Sequence, residues 1–545
     1  MIDKVVVVGG GTSGWMTAAY LKKAMPQLKI TVVESAHIKT VGVGEGTFST
    51  IKLFMDFLGL DEREWMPRCN AAYKLGIRFV DWAARPGTFY HPFQRFELVD
   101  GFNLGEWWLK LKRDEEAFDT ACFAIPAICD AQKSPRFLDG TVFDDKVREQ
   151  FGRGAAEARN TRIAEHRLQY PYAYHFDTLL LAQFLRDVAV GLGVEHWVDD
   201  VIGIPLTEDG SIAHLVTADR GNLAGDLYVD CSGFQSLLLC KSMGDPFLSY
   251  SDTLLCDSAL AFRLPIDIER VGLDPCTTAA ALSSGWAWTI PLYGRLGTGY
   301  VYSSRFQSRE EAEREMRAYL GPLAEGMSVN PIRMRIGRQT NPWVRNCVAI
   351  GLAGGFLEPL EATGIFFIQN AIEELVRHFP KAGLDDAVIR SFNRVVTECF
   401  DGVRDFITLH YAASDRMDTP FWRATKEVKL PDALAERIEL WRRRLPDHRT
   451  IPSAFHGFEA YSYAAIMLGV TSRTTQESLP ALDGLDPRRA LEAFRIQRAR
   501  TERLVSTLPS QVAYLATLRE DAEIVGPDYP MTNGRDRSMS LVGAA

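Results

Sequence analysis

The sequence predicts an α/β fold that opens on a parallel β-α-β crossover and continues into a mainly helical C-terminal subdomain. Three observations carry this. Lys4 to Val8 is an apolar run of strand length, Trp15 to Met25 continues as a helix, and Lys29 to Val33 is a second strand ending at Glu34. Together they have the roughly 30-residue span of a βαβ unit. A glycine loop, Gly9-Gly10-Gly11-Thr12-Ser13-Gly14, joins the first strand to the helix. Beyond Pro380 the pattern turns to helices rich in Arg, Glu and Leu, notably Asp432 to Arg444 and Pro487 to Leu508.

The remaining elements follow in chain order. Val41 to Thr50 is glycine-rich and too irregular for a helix. Arg63 to Lys112 is dense in aromatics, Trp65, Trp82, Trp107 and Trp108 among them. Asp177 to Gly191 reads as an amphipathic helix and Glu195 to Val201 as a strand. Ile212 to Asp230 alternates like a hairpin and closes on Asp230-Cys231-Ser232-Gly233. Cys347 to Leu352 is a buried strand, and Ile365 to Phe379 the helix that leaves it. The implied organisation is a core over residues 1–380, with inserted segments around 80–150 and 245–330 suited to substrate binding. A helical subdomain covers 381–520 and a tail 521–545.

Composition bounds the function. With 46% hydrophobic and 24% charged residues the chain has the profile of a globular protein. A formal charge of −9 argues against nucleic-acid partners. No apolar run approaches the ~20 residues of a membrane span, and the first strand begins too early for a signal peptide, so the expected compartment is cytoplasmic. Nine cysteines without a CxxC pair, and scattered histidines without HExxH, predict reduced thiols and no protein-bound metal.

The glycine loop carries the first chemistry. Gly9 permits the turn off the strand, Gly11 lets backbone N–H groups approach a pyrophosphate, and Gly14 lets the helix pack closely. Thr12 and Ser13 open a helix whose N-terminus attracts anions. Glu34 lies about 20 residues on, where an acid binds the ribose hydroxyls. Two distant glycine-bearing returns, Asp230-Cys231-Ser232-Gly233 and Gly351-Leu352-Ala353-Gly354-Gly355, favour FAD over NAD. No second GxGxxG is present for a nicotinamide nucleotide, so a separate flavin reductase is the expected source of reduced cofactor. The fold class is thus a Rossmann-like FAD-binding fold of the single-component flavin monooxygenase type, with the helical subdomain appended.

Six motifs, GGGTSGWM, VGVGEGTFS, YKLGIRF, YPYAYHFD, GWAWTIPL and FLEPLEATGIFFIQ, resemble those of the flavin-dependent tryptophan halogenases, most closely the subgroup acting at indole C5. The likeness runs from residue 1 to about 520. It implies that FADH2, O2 and chloride (or bromide) generate hypohalous acid, which passes inside the protein to Lys74. Glu361 then orients the halogenating species and stabilises the cationic arene. By the same resemblance the halide rests on Thr363 and Gly364. Val41, Gly44, Val201, Leu352 and Ile365 contact the flavin, and Trp286, Trp288 and Pro291 line the route between flavin and substrate. A homodimer is the family habit.

For the substrate, the resemblance points to Phe48, Ser49, His91, Pro92, Phe93, Phe455 and Glu459. Here the chain departs from its relatives. A Tyr-Tyr pair that can bind the polar end of tryptophan is Ala454-Phe455, and the Ser before the Thr-Gly pair is Ala362. Loss of these hydroxyls favours a tryptophan residue within a peptide over free L-tryptophan, with C5 as the expected position. Two rival readings remain open to test: a flavin-dependent aromatic hydroxylase, and a non-catalytic flavoprotein scaffold.

Overall fold

The structure is a computed structural model that describes residues 2–37, 44–112, 116–143, 171–381 and 383–519. Val41 and the C-terminal tail lie outside the described residues. A six-stranded sheet holds the dinucleotide unit. Its order is Glu195–Val198, Lys29–Glu34, Lys4–Val8, Leu227–Asp230, Cys347–Ala349 and Trp343–Val344, parallel except for the last strand. Four consecutive valines, Val5 to Val8, are buried on both faces, as a central parallel strand requires. The helix Thr12–Ala24 leaves this sheet directly after the glycine loop.

The hairpin expected from Ile212 to Asp230 is divided. Leu215–Thr217 pairs antiparallel with Gly221–Leu223, whereas Leu227–Asp230 enters the main sheet beside Lys4–Val8. That placement brings Cys231 to Gly233 back against the glycine loop.

A second, seven-stranded sheet runs Asn330–Arg333, Ser258–Pro265, Arg295–Tyr302, Gly285–Leu292, Thr277–Leu282, Gly76–Val80 and Thr88–Pro92. All its pairs are antiparallel except Thr277–Leu282 with Gly76–Val80. It carries Trp286 and Trp288 at one point and His91 at another. A small sheet of Gly44–Gly46, Ala173–Asp177 and Ala72–Lys74 packs against Gly285–Leu292 and Arg295–Tyr302 of the second sheet. Its outer strands place Glu45 and Lys74 opposite Phe176 and Ala173 respectively.

The C-terminal helices do not form a separate core. One hydrophobic cluster includes Val5, Phe79, Trp286, Phe406 and Leu515. A second joins Trp107, Phe118 and Phe123 of the inserted segment to Leu445, Leu482 and Phe494. The 28-residue helix Asp386–Ala413 crosses the core and delivers Phe406, His410 and Tyr411 to its interior.

Behind Lys74 lies a buried polar knot. Glu62 accepts hydrogen bonds from Tyr73 (2.7 Å), Tyr172 (2.8 Å) and Tyr174 (2.7 Å), and the Arg136 guanidinium stands 2.9 Å away. Burial raises the Glu62 carboxyl, but Arg136 and these donors hold it at about 2. Its contribution to stability is therefore present above the ordinary carboxylate range and lost as pH falls toward 2. Arg136→Met would leave this carboxylate buried without its cation. We expect a loss of about 3–5 kcal/mol, read as a lowered urea midpoint at pH 7, with the loss shrinking in acid.

Candidate active site

A cavity of about 720 Å³ extends from the glycine loop to the faces of Trp286, Trp288 and Ala362. Gly9, Gly11, Thr12, Ser13, Glu34, Gly44, Val201, Leu352 and Ile365 all line it. The loop fits tightly around its own backbone. Gly9 has φ +115°, and a Cβ there would meet the Cys231 carbonyl at 2.3 Å; one on Gly14 would meet the Gly9 carbonyl at 1.8 Å. Only glycine serves at these two positions. Glu34 faces His196 Nε2 across 2.6 Å, which holds its carboxyl group at the end of the strand. A dinucleotide fits this cavity: the loop and helix start suit a pyrophosphate, Glu34 a ribose, and the apolar far end an isoalloxazine ring. FAD bound there would rest on these residues and supply oxygen activation.

Lys74 ends its strand outside the cavity lining, beside Gly46, which does line it. It is fully buried, and Nζ donates to the Thr47 carbonyl at 3.1 Å and lies 5.2 Å from the Phe93 ring centroid. Burial lowers its pKa to about 8, although Glu361, Cys276 and Glu45 favour the charged form. Glu45 lines the cavity beside it. Burial raises that carboxyl to about 7 against the pull of Lys74.

Glu361 ends the short turn Pro359–Glu361. His91 Nδ1 lies 2.9 Å from one oxygen and His410 Nε2 2.8 Å from the other, all three side chains being buried. Burial alone would raise this carboxyl; the two imidazoles reverse the effect and hold it at about 2. Glu361 is therefore a fixed anion in a dry site. Lys74 Nζ and the Cβ of Ala362 both lie within 3.4 Å of the point a Cβ on Gly46 would occupy. The lysine and the acidic turn thus meet across the Gly44–Gly46 strand.

Ala362 takes the left-handed conformation (φ 57°, ψ 41°), and Thr363 caps the helix Gly364–Arg377 in the right-handed one. This alternation aims successive N–H groups to one side, the geometry of an anion nest. The buried Thr363 hydroxyl has no partner among the described residues, and Gly364 faces the cavity. Trp286 and Trp288, with ring centroids 6.4 Å apart, form the wall, and Pro291 is buried on the same strand.

The expected substrate residues gather on the other side of Glu361. Phe48 stacks on Phe366 at 4.9 Å and meets Phe458 edge-on at 4.9 Å. His91 packs against Phe93, and its Nε2 is buried without a partner among the described residues. Ser49 adjoins Phe48, and Pro92 is buried between His91 and Phe93. Phe455 is 61% exposed and touches only the edge of this cluster, at Phe366. Glu459 stands at the rim, half-exposed, paired with Arg95 Nε at 2.9 and 3.1 Å.

Four contributors went unrecognised in the sequence: His410, Phe406, Phe458 and Arg95. Phe406 and Phe458 stack at 3.8 Å in the middle of the aromatic floor. Phe458 could have been found, since it falls inside Phe455-His456-Gly457-Phe458-Glu459. A single histidine on a long amphipathic helix and an arginine in a loop carry no local signal.

The chain matches the family model described as tryptophan halogenase over residues 4–486. It is 50% identical to tryptophan 6-halogenase SttH of Streptomyces toxytricini over 520 residues, covering 95% of this chain and 98% of that protein. It is 51% identical to 7-chloro-L-tryptophan 6-halogenase KtzR of Kutzneria sp. (strain 744), covering 94% and 99%. The crystal structure of SttH superposes with a TM-score of 0.87 over 94% of this chain and 99% of that one. Tar14, a tryptophan C-6 flavin-dependent chlorinase from taromycin biosynthesis, gives 0.88 at 47% identity over 95% and 100%. No described helix is long and apolar enough to cross a membrane. With the cavity, the buried lysine and the motif order all in agreement with these matches, the chain belongs to the flavin-dependent tryptophan halogenase family and works with FADH2, O2 and chloride.

Proposed function

We propose that this enzyme halogenates free L-tryptophan, or its 7-chloro derivative, at indole C6, with Lys74 delivering the halogen and Glu361 facing the ring. The observation that carries the chemistry is the burial of one ammonium and one carboxylate of opposite role at adjoining points of the same dry interior. Bound reduced flavin, with O2 and halide, supplies hypohalous acid. The anion nest at Thr363-Gly364 suits the halide. Lys74, largely ammonium at neutral pH, has N–H groups to hold hypohalous acid in place of water. Glu361, an anion throughout the working range, offsets positive charge as it develops on the indole. An arene carrying both halogen and hydrogen at one carbon is so strong an acid that even this weak base can take its proton.

This reading departs from the expected C5 position and takes free L-tryptophan, the other substrate the sequence left open, over the peptide-borne one. The relatives near 50% identity carry position 6 and tryptophan or 7-chloro-L-tryptophan in their names. The missing hydroxyls at Ala454 and Phe455 have an alternative in the Arg95–Glu459 pair. Its guanidinium and carboxylate complement the carboxylate and ammonium of a free amino acid, while an amide-linked tryptophan offers neither charge. Charge-assisted hydrogen bonds of about 1.5–3 kcal/mol correspond to roughly 10- to 100-fold in kcat/KM.

The test supplies enzyme, flavin reductase and chloride with L-tryptophan, 7-chloro-L-tryptophan and N-acetyltryptophan amide, and locates chlorine by NMR. The expected product bears chlorine at C6, and the capped substrate is at least tenfold poorer. Chlorine at C5, or equal turnover of the capped compound, would overturn the assignment.

A further inference from the structure

Glu358 stands three residues before Glu361, and its surroundings are the opposite. It is fully buried, and no Lys, Arg or His among the described residues pairs with it. One oxygen, Oε2, faces the Tyr411 hydroxyl at 3.1 Å and the Trp286 indole Nε1 at 3.5 Å. The other, Oε1, has no partner among the described residues. The groups packed against it are Tyr411 from the long helix, Cys256 from the loop before Ser258, and Trp286 from the wall strand. Cys256 Sγ lies 3.8 Å from the same tyrosine oxygen.

An ionised carboxylate with no cation and one bare oxygen is a costly thing to bury. A neutral acid is not. Its O–H on Oε2 donates to Tyr411, whose own hydroxyl turns toward Cys256, and only a carbonyl lone pair stays unmet. The Trp286 N–H then adds a weaker contact. We propose that Glu358 works as a neutral carboxylic acid and is a positioning residue, fixing the Trp286 indole in the wall that separates the cofactor cavity from the reacting pair. The two glutamates read successive residues of one helix. Glu361 takes His410 and stays charged; Glu358 takes Tyr411 and stays neutral. Opposed environments three residues apart mark opposed duties. Burial raises the Glu358 carboxyl to about 7, in keeping with a neutral form below that pH. A wall that shifts when this proton is lost would let hypohalous acid escape before it reaches Lys74. The inference rests on the internal route proposed above.

Two measurements test it. In the flavin-free protein at pH 6, the infrared difference between wild type and Glu358→Gln should contain the carbonyl band of a protonated carboxyl, replaced by carboxylate bands at pH 9. This needs no turnover, so it stays decisive even if the halogenation reading fails. In turnover, the quantity to measure is halogenated product per flavin oxidised. Glu358→Gln, shaped like the neutral acid and unable to ionise, should stay within about twofold of wild type below pH 7. It should lose the part of the decline centred near pH 7, keeping only the later fall through about 8 that belongs to Lys74. Glu358→Ala should lower the ratio about tenfold with the rate of flavin oxidation unchanged. Carboxylate bands at pH 6, or a glutamine variant as uncoupled as the alanine one, would overturn the proposal. Should the alanine protein fail to fold, the infrared bands and the glutamine ratio decide alone.

Discussion

Lys74→Ala is expected to remove tryptophan halogenation by at least about 10³-fold in kcat while the enzyme continues to oxidise reduced flavin at its normal rate. The side chain is buried with its Nζ held by the Thr47 carbonyl, and it shares the surroundings of Gly46, a cavity-lining residue, with Ala362 of the acidic turn. Among the described residues no other lysine is buried, so none of them replaces the lost donor. Product and flavin oxidation, measured in the same reaction, separate this outcome from general damage. Stability should not fall. The folded protein holds the lysine at about 8, below its ordinary value of 10.5. The ammonium is thus disfavoured by folding at every pH below about 8, and the penalty fades as pH rises toward 10.5. Lys74→Met should accordingly be as stable as wild type, or more so, at pH 7. The same titration distinguishes two modes of delivery. If N–H donation holds the oxidant, product per flavin falls as pH rises through about 8; transfer through a free amine would make it rise. The hydrogen bond to Thr47 favours the first.

Glu361→Gln is the second large effect, expected at about 10²- to 10³-fold in kcat with KM changed little. Glutamine has nearly the same shape and can still face His91 and His410, so the pocket should keep its form. What disappears is negative charge, which matters only as the ring becomes cationic. A loss confined to kcat is the signature of an interaction made in the transition state. A rise in KM at constant kcat would instead make Glu361 a ground-state binding group. Because the carboxyl is held at about 2, its protonation should not lower the wild-type rate between pH 5 and 7. An acid limb near pH 4.5 would mean that the two imidazoles do not hold it as the structure indicates.

The parts of this molecule legible in its sequence are those with short-range signals. The β-α-β unit showed its period and its glycines, and the expected cofactor residues from Gly9 to Ile365 line one cavity except two: Gly14 packs behind the loop against the Gly9 carbonyl, and Val41 lies outside the described residues. Lys74, Glu361, Trp286 and Trp288 were singled out through motifs, which suggest the chemistry proposed above but not its geometry. The seven-stranded sheet was not legible. Strands such as Ser258–Pro265 and Arg295–Tyr302 are buried on both faces over most of their length, so the polar alternation that marks a half-exposed strand is absent. Glu459 was legible only as a substrate candidate; its partner Arg95 is 364 residues distant in the chain, so the pair carries no local signal. His410 was hidden for a similar reason, since only the crossing of one long helix over the turn Pro359–Glu361 makes it a ligand of Glu361.

The claim on which the rest depends is that the oxidant stays within the protein between the cofactor cavity and the indole. Excess methionine in solution, a rapid scavenger of free hypohalous acid, tests it directly when chlorotryptophan is counted against flavin oxidised. Internal delivery past Lys74 predicts a ratio unchanged by methionine. A ratio that falls in proportion to the methionine added would show that the halogen travels through solvent and would contradict the account.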